Sequence, residues 1–176
     1  MRMTGVVLGT AALALAACAP AMQEGAARAG SESTLRNAQG QSVGTVRVEP
    51  MGAGTRVTLR VMGMPAGTHG AHLHAVGRCD APDFTTAGPH WNPTGRQHGM
   101  ENPQGPHLGD LPNLVVGADG TGTLTATVPV PYVPGAQSML DPDGTALVVH
   151  AAADDMRTDP SGNSGARIAC AVVGGA

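Results

Sequence analysis

The chain contains no lysine, and aromatic residues make up only 2% of its 176 residues. All ten basic residues are arginines, which thirteen acidic residues outnumber, so that the formal net charge is −3. This balance provides no basic surface for nucleic acid and excludes nucleic-acid binding as the predicted function. The length suits one domain, whose core must consist mainly of Val, Leu, Ala and Met because aromatic side chains are so few.

The chain also lacks an apolar run of the roughly 20 residues that a membrane-spanning helix needs. Residues 5–17 form an apolar run of 13 residues behind Arg2, which is typical of a secretory signal peptide, with a buried helix as the alternative. The run ends in the letters LAAC, whose cysteine is Cys18, and these letters resemble a bacterial lipobox. We therefore predict a signal peptide over residues 1–17 and a lipid on Cys18; ordinary cleavage is the alternative.

Residues 19–32 are small, polar and without a period. Together with the lipidated Cys18 they predict a flexible tether over residues 18–32, ahead of a folded domain over residues 33–176. A protein of this layout is expected in the periplasm or cell envelope, attached to a membrane by its N-terminal lipid.

Cysteine is scarce, with three residues in the chain. If Cys18 carries lipid, Cys79 and Cys170 remain as the possible disulfide pair, and an oxidising compartment favours that bond. Two free buried thiols are the alternative.

Helical periodicity is missing after residue 18, whereas alternation of polar and apolar residues recurs, as in RVTLRV over residues 56–61. A period of two is typical of strands that have one face on a core and one in water. We predict an all-β fold, a sandwich or flattened barrel of about eight strands. The predicted strands lie near residues 33–38, 43–50, 55–62, 69–76, 113–117, 121–129, 145–150 and 167–173.

Two connections are too long for hairpins, the first over residues 77–112 and the second over residues 151–166. Structureless loops longer than about 15 residues are uncommon in compact domains and are usually functional. Four of the seven histidines lie in or beside these two loops, which makes the loops candidates for a binding site.

His72 and His74 are two residues apart on a predicted strand, so their imidazoles point to the same face. His150 ends another predicted strand and can supply a third imidazole. A single His-x-His pattern is a weak signal, because a solvated strand face explains it equally well.

The first long loop carries a second set of ligand types: His90, His98, His107 and Asp110. Three imidazoles and one carboxylate suit a closed four-coordinate zinc site. A metal held by these residues would also order a loop that local propensity cannot order alone.

These residues resemble copper/zinc superoxide dismutase. Five motifs carry the likeness, in the family's order, across residues 33–176: HGAHLH from His69, AGPHWNP from Ala87, HLGDL from His107, LVVH ending at His150 with the acidic pair Asp154-Asp155, and GNSGARIAC from Gly162. The lipobox and tether indicate one of the secreted bacterial members.

The resemblance implies two metals. His72, His74, His90 and His150 match the copper ligands, and His90, His98, His107 and Asp110 match the zinc ligands, so that His90 bridges both ions as an imidazolate. Asp154 matches the carboxylate that accepts hydrogen bonds from one ligand of each metal, here His72 and His98. The competing interpretation places Asp154 in a solvated acidic pair.

Three further roles follow from the resemblance. His69 packs and hydrogen-bonds behind the copper site, Arg167 guides the substrate anion to copper, and Cys79 with Cys170 matches the family disulfide. The implied fold is a flattened eight-stranded Greek-key barrel. Minor departures are Trp91 in place of a phenylalanine and Ala71 in place of a bulkier residue.

The second loop departs further, because residues 160–161 are Pro-Ser where eukaryotic members carry a lysine and a threonine. The sequence leaves the detail of electrostatic guidance open; Arg157 is near in sequence and is one candidate to substitute for the missing cation.

The implied activity is dismutation of superoxide to O2 and hydrogen peroxide, with His90 and Arg167 as catalytic residues. The alternative is a non-enzymatic periplasmic copper-binding or carrier protein of the same fold; such relatives lack a ligand, the zinc loop or the arginine, all of which are present here. The sequence leaves open whether the protein is a monomer or a homodimer.

Overall fold

A computed structural model describes Met1, residues 30–135 and residues 137–174. The predicted signal peptide beyond Met1, Cys18 and most of the predicted tether lie outside the described residues. Within the described ranges, no helix combines the length and apolar character required to cross a membrane.

The described residues form nine strands, one short 3-10 helix at Thr85–Ala87 and no α-helix. The strands are β1 (Ser31–Asn37), β2 (Ser42–Met51), β3 (Gly54–Val61), β4 (Gly67–His69), β5 (Ala71–His74), β6 (Leu114–Val116), β7 (Gly122–Val128), β8 (Thr145–His150) and β9 (Arg167–Gly174). The all-β prediction is confirmed; β1 begins at Ser31 rather than at the predicted residue 33.

All nine strands belong to one antiparallel sheet in the order β4-β6-β7-β3-β2-β1-β9-β8-β5. The two outermost strands, β4 and β5, follow each other in the chain, so the sheet curls into a nearly closed barrel. This confirms the predicted barrel. The strand count is nine rather than eight because the strand predicted near residues 69–76 is interrupted at Gly70.

Gly70 interrupts that strand because its backbone is used by the second long loop and the neighbouring strand. Its N–H donates to the carbonyl of Ala152 at 2.8 Å, and its carbonyl accepts from the N–H of His150 at 2.9 Å. A Cβ at this position would lie 2.8 Å from the Cβ of Ser164. No larger residue fits without moving the loop.

Alternating side chains of the strands fill the barrel, as predicted, mainly with Val and Leu. Val46 and Val48 of β2 and Val57 and Leu59 of β3 are almost completely buried. The first long loop crosses one side of this barrel and is tied to it by the predicted disulfide between Cys79 and Cys170 of β9. The start of that loop is therefore fixed to the strand that begins at Arg167.

Candidate metal centre

Pairing of β5 with β8 positions the strand histidines. His72 lies opposite Val148, and His74 lies opposite Ala146. His150 ends β8, where it lies opposite Arg167 of β9. Three imidazoles and one guanidinium therefore come from three adjacent strands, and backbone hydrogen bonds determine their relative positions.

The other edge of β5 holds the first long loop. The N–H of Leu73 donates to Gly109 O at 2.8 Å, and the carbonyl of Leu73 accepts from the N–H of Trp91 at 2.8 Å. These bonds place His90 opposite His74 and Asp110 opposite His72. The sequence did not predict this docking, because short bridges within an irregular loop have no periodic pattern.

Four histidines form what we call the first cluster: His72, His74, His90 and His150. One ring nitrogen of each lies within 4.8 Å of the others. These nitrogens (Nδ1 of His72 and Nε2 of His74, His90 and His150) are buried and have no hydrogen-bond partner. Leaving a buried polar atom without a partner costs about 1–3 kcal/mol, so four of them facing one point indicate a missing ligand.

The opposite ring nitrogens of the first cluster are all occupied. Nε2 of His72 donates to Asp154 Oδ2 at 2.7 Å, Nδ1 of His74 to Gly88 O at 2.8 Å, and Nδ1 of His150 to Gly165 O at 3.1 Å. Such bonds hold each ring in one orientation and keep the free nitrogen unprotonated.

Burial keeps three of these imidazoles neutral. It is the main cause that lowers the pKa of His74 to about 2, that of His150 to about 3 and that of His90 to about 4, with further lowering by neighbouring imidazoles. A neutral imidazole is the form that binds a metal ion.

A second cluster consists of His90, His98, His107 and Asp110, all buried. The three Nδ1 atoms lie 3.0–3.2 Å from Asp110 Oδ1. Ligands at about 2.0 Å from a zinc ion in a tetrahedron are separated by about 3.3 Å, close to these distances. The other oxygen of Asp110 accepts from the backbone N–H groups of Gly99 and His107, which orients the carboxylate.

Asp154 connects the two clusters from the second long loop. Its fully buried carboxylate accepts from Nε2 of His72 at 2.7 Å and from Nε2 of His98 at 3.0 Å. The competing interpretation of Asp154 as a member of a solvated pair is therefore wrong. Asn113, which the sequence analysis did not single out, forms two hydrogen bonds of 2.9 Å with the Asp154 backbone.

The carboxylates of Asp110 and Asp154 shift the pKa values in the second cluster in a different direction from those in the first. Burial alone would lower the pKa of His98, but hydrogen bonds to Asp110 and Asp154 raise it to about 9. In the same way burial opposes ionisation of Asp110 and Asp154, and hydrogen bonds from the imidazoles hold both of their pKa values well below the usual range.

Gly162 makes room for this network. Its φ is +62°, a conformation that favours glycine, and a Cβ there would overlap the Asp154 carboxylate and lie 2.7 Å from His98 Nε2. The sequence motif contains this glycine, but only the folded chain shows what it contacts.

Arg167 lies beside the first cluster. Its Nη1 donates to Phe84 O and its Nη2 to Gly88 O, both at 2.7 Å. Arg167, His74, His90 and His150 line one open cavity of about 750 Å³. His69 lies next to the cluster, and its Nδ1 is 2.8 Å from His150 O.

The predicted role of Arg157 is wrong. Its guanidinium lies 2.6 Å from the Glu101 carboxylate on the surface and does not line the cavity. The short second loop turns this side chain toward the outer side of the first loop, so sequence proximity to the site did not become spatial proximity.

Comparison with known proteins supports one family. The family model for copper/zinc superoxide dismutase matches residues 42–173. Cu-Zn superoxide dismutase 1 of Aquifex aeolicus is 39% identical over 148 residues, 81% of this chain and 86% of that protein. The structure of a SOD-like protein from Bacillus subtilis has a TM-score of 0.76 at 39% identity, covering 81% of this chain and 97% of its own. Cu/Zn superoxide dismutase from Brucella abortus has a TM-score of 0.66 at 28% identity, covering 82% and 99%.

Proposed function

The chain belongs to the copper/zinc superoxide dismutase family, whose members use copper and zinc to dismutate superoxide, and from that premise we propose a residue for each role. In this proposal the first cluster holds copper and the second holds zinc. The observation that carries the copper assignment is the set of four buried ring nitrogens without partners.

The donor chemistry agrees with the two ions. Four imidazoles and no carboxylate suit copper, whereas three imidazoles and one carboxylate in a near-tetrahedral arrangement suit a closed zinc site. His90 contributes Nε2 to the first cluster and Nδ1 to the second, so a single imidazole faces both ions. Asp154 supports one histidine of each.

His72, His74, His90 and His150 would hold copper, which would supply the one-electron redox chemistry that converts two superoxide anions and two protons into O2 and hydrogen peroxide. The chain's own residues supply the rest. Nε2 of His90 lies at the cavity. With Nδ1 of His90 bound to zinc, Nε2 would carry the single proton of the neutral ring whenever it is not bound to copper, and it could deliver that proton to the reduced substrate. Nδ1 of His90 remains on the zinc side.

Arg167 binds and orients the substrate anion. Two of its five N–H groups are used by the carbonyls of Phe84 and Gly88, which hold the guanidinium at the cavity wall, and the others remain available. Its permanent charge and planar set of donors suit a small anion.

The test is metal content together with superoxide-dismutating activity of the purified protein. Wild type should bind both metals and be active; His150→Ala should lose copper and activity and keep zinc, because His150 belongs only to the first cluster. A wild-type protein that binds copper and has no activity would favour the copper-carrier alternative.

The protein's location is part of the proposal: we place it in the periplasm or cell envelope, anchored by a lipid on Cys18. The lipobox letters and the disulfide, which oxidising compartments favour, support this. Cys18→Ser should move the protein from the membrane fraction to the soluble fraction without changing its specific activity. Equal partitioning of the variant and wild type would contradict the lipid anchor.

A further inference from the structure

The cavity that leads to the first cluster carries negative charge in its wall. Asp141, Asp143 and Asp159 all line it, and the chain as a whole has a net charge of −3. Superoxide is an anion, so these carboxylates oppose its approach. Cations in the same wall must outweigh them locally.

Two arginines are the only fixed cations that the described residues place in this wall: Arg167 and Arg96. Arg167 comes from β9, whereas Arg96 comes from the first long loop. We propose that Arg96 is a second anion-guiding residue, supplying from the first loop the charge that the lysine-free second loop does not provide.

Arg96 is held in place although it is exposed. Its backbone N–H donates to Asn92 Oδ1 at 3.1 Å, and Nδ2 of Asn92 donates to the Arg96 carbonyl at 2.8 Å. In the side chain, Nε donates to Gly105 O at 2.8 Å, and Nη2 donates to the same oxygen. A guanidinium fixed in this way has a definite position in the wall and little freedom left to lose when an anion approaches.

The charge of Arg96 is also not neutralised by a close partner. Arg47, Arg78 and Arg157 each pair with a nearby carboxylate, but among the described residues no carboxylate oxygen lies within 4.0 Å of Arg96. Its Nη1 makes no hydrogen bond within the same part of the chain. The charge of Arg96 is therefore less compensated by a neighbouring carboxylate than the charges of the paired arginines.

A purely structural role is the competing explanation, because the hydrogen bonds from Arg96 to Gly105 O join two parts of the first long loop. The variant Arg96→Gln separates the two, since an amide can still donate to Gly105 O but carries no charge. Arg96→Lys keeps the charge and loses the planar set of guanidinium N–H donors. Arg60→Gln is the matched control: it removes one exposed arginine charge from β3, away from the cavity.

The measurement is the rate constant of superoxide decay by pulse radiolysis, from roughly 10 mM to roughly 1 M ionic strength, where the screening length falls from about 30 Å to about 3 Å. We expect Arg96→Gln to lower the rate about two- to fourfold at low salt, the size of effect that one unit charge exerts over about 10 Å in a medium close to water. The difference should vanish at high salt. Arg96→Lys and Arg60→Gln should stay near wild type.

A second readout does not depend on turnover. Azide, a small anion, should bind the copper-loaded Arg96→Gln variant about two- to fourfold more weakly in a visible-absorption titration, with metal content and thermal midpoint unchanged. Equal rates and azide affinities in Arg96→Gln and Arg60→Gln would overturn the proposal, and so would loss of zinc in Arg96→Gln. The inference rests on the proposed copper assignment; a copper-loaded wild type that neither dismutates superoxide nor binds azide would contradict that assignment instead.

Discussion

The two clusters share His90 but are built in different ways. Three members of the first cluster lie on β5 and β8, where backbone hydrogen bonds between adjacent strands determine their spacing. All four members of the second cluster lie on the first long loop. Its three histidines lie within hydrogen-bond distance of Asp110, and His98 also contacts Asp154 from the other loop. The disulfide fixes the start of this loop.

This difference separates two ways of preparing a metal site. In the first cluster the sheet positions three of the four imidazoles, so the barrel itself maintains most of the geometry. In the second cluster, carboxylates and cross-links substitute for regular structure, and hydrogen bonds to Asp110 and Asp154 raise the pKa of His98. Perturbations that loosen the loops should therefore affect the second cluster more than the first.

Removing the disulfide should have the largest effect. The double variant Cys79→Ser/Cys170→Ser opens a loop with a sequence separation of 91, for which the chain-entropy estimate is about 4–5 kcal/mol as an upper bound. We expect a lower free energy of unfolding in denaturant titrations and greater loss of zinc than of copper by elemental analysis. Equal loss of the two metals would contradict the comparison between clusters.

Acid should affect the second cluster next most strongly. The pKa of His98 is raised to about 9, so below that pH zinc must displace a proton, and its apparent affinity should fall about tenfold per pH unit, or about 100-fold from pH 7 to pH 5. His74, His150 and His90, with pKa values of about 2, 3 and 4, bind no proton in that range. Chelator competition at each pH measures both affinities, and a steeper loss of copper than of zinc would refute this expectation.

Asp154→Asn should weaken zinc retention by about 10–100-fold, as is typical of changes in the residues that support metal ligands. An amide keeps the shape but cannot accept from His72 and His98 as well as a carboxylate does. Copper should be retained better, because β5 still positions His72. Dialysis against a chelator followed by elemental analysis tests this; unchanged zinc content would show that the carboxylate is not needed.

Arg167→Ile should change neither metal and should lower the rate about tenfold, the size of effect that one unit charge exerts over about 5 Å in a partly exposed site. The salt dependence should also become shallower. Arg167→Lys should lose less activity, because the charge remains and only the planar set of guanidinium N–H donors is lost. Full activity of Arg167→Ile at low ionic strength would remove the residue from the mechanism.

Much of this architecture could be predicted because it depends on local patterns. Alternation predicted the barrel strands, and the His-x-His pattern on one of them predicted that His72 and His74 share a face. Trp91 is buried in the core, so the substitution at that position is accommodated by packing.

Other features have no local pattern. Asn113 acts on Asp154 across the fold, and Gly70 interrupts a strand because Ala152 and Ser164 approach it from the other loop. The contrast between Arg157 and Arg96 is similar: both are surface arginines near ligand residues in sequence, and only the path of each loop shows which one faces the cavity.

The sequence by itself determined the strand-forming segments, the two sets of candidate ligands and the pair of cysteines that can join. These depend on side-chain chemistry and on spacing along a few residues. The tertiary structure alone decided which ring nitrogen of each histidine is free, how Asp154 reaches both clusters, and which arginines enter the cavity. Those outcomes depend on hydrogen bonds and steric contacts between segments that the fold brings together, such as His72 with Asp154 and Asn113 with Asp154, and no local pattern records such contacts.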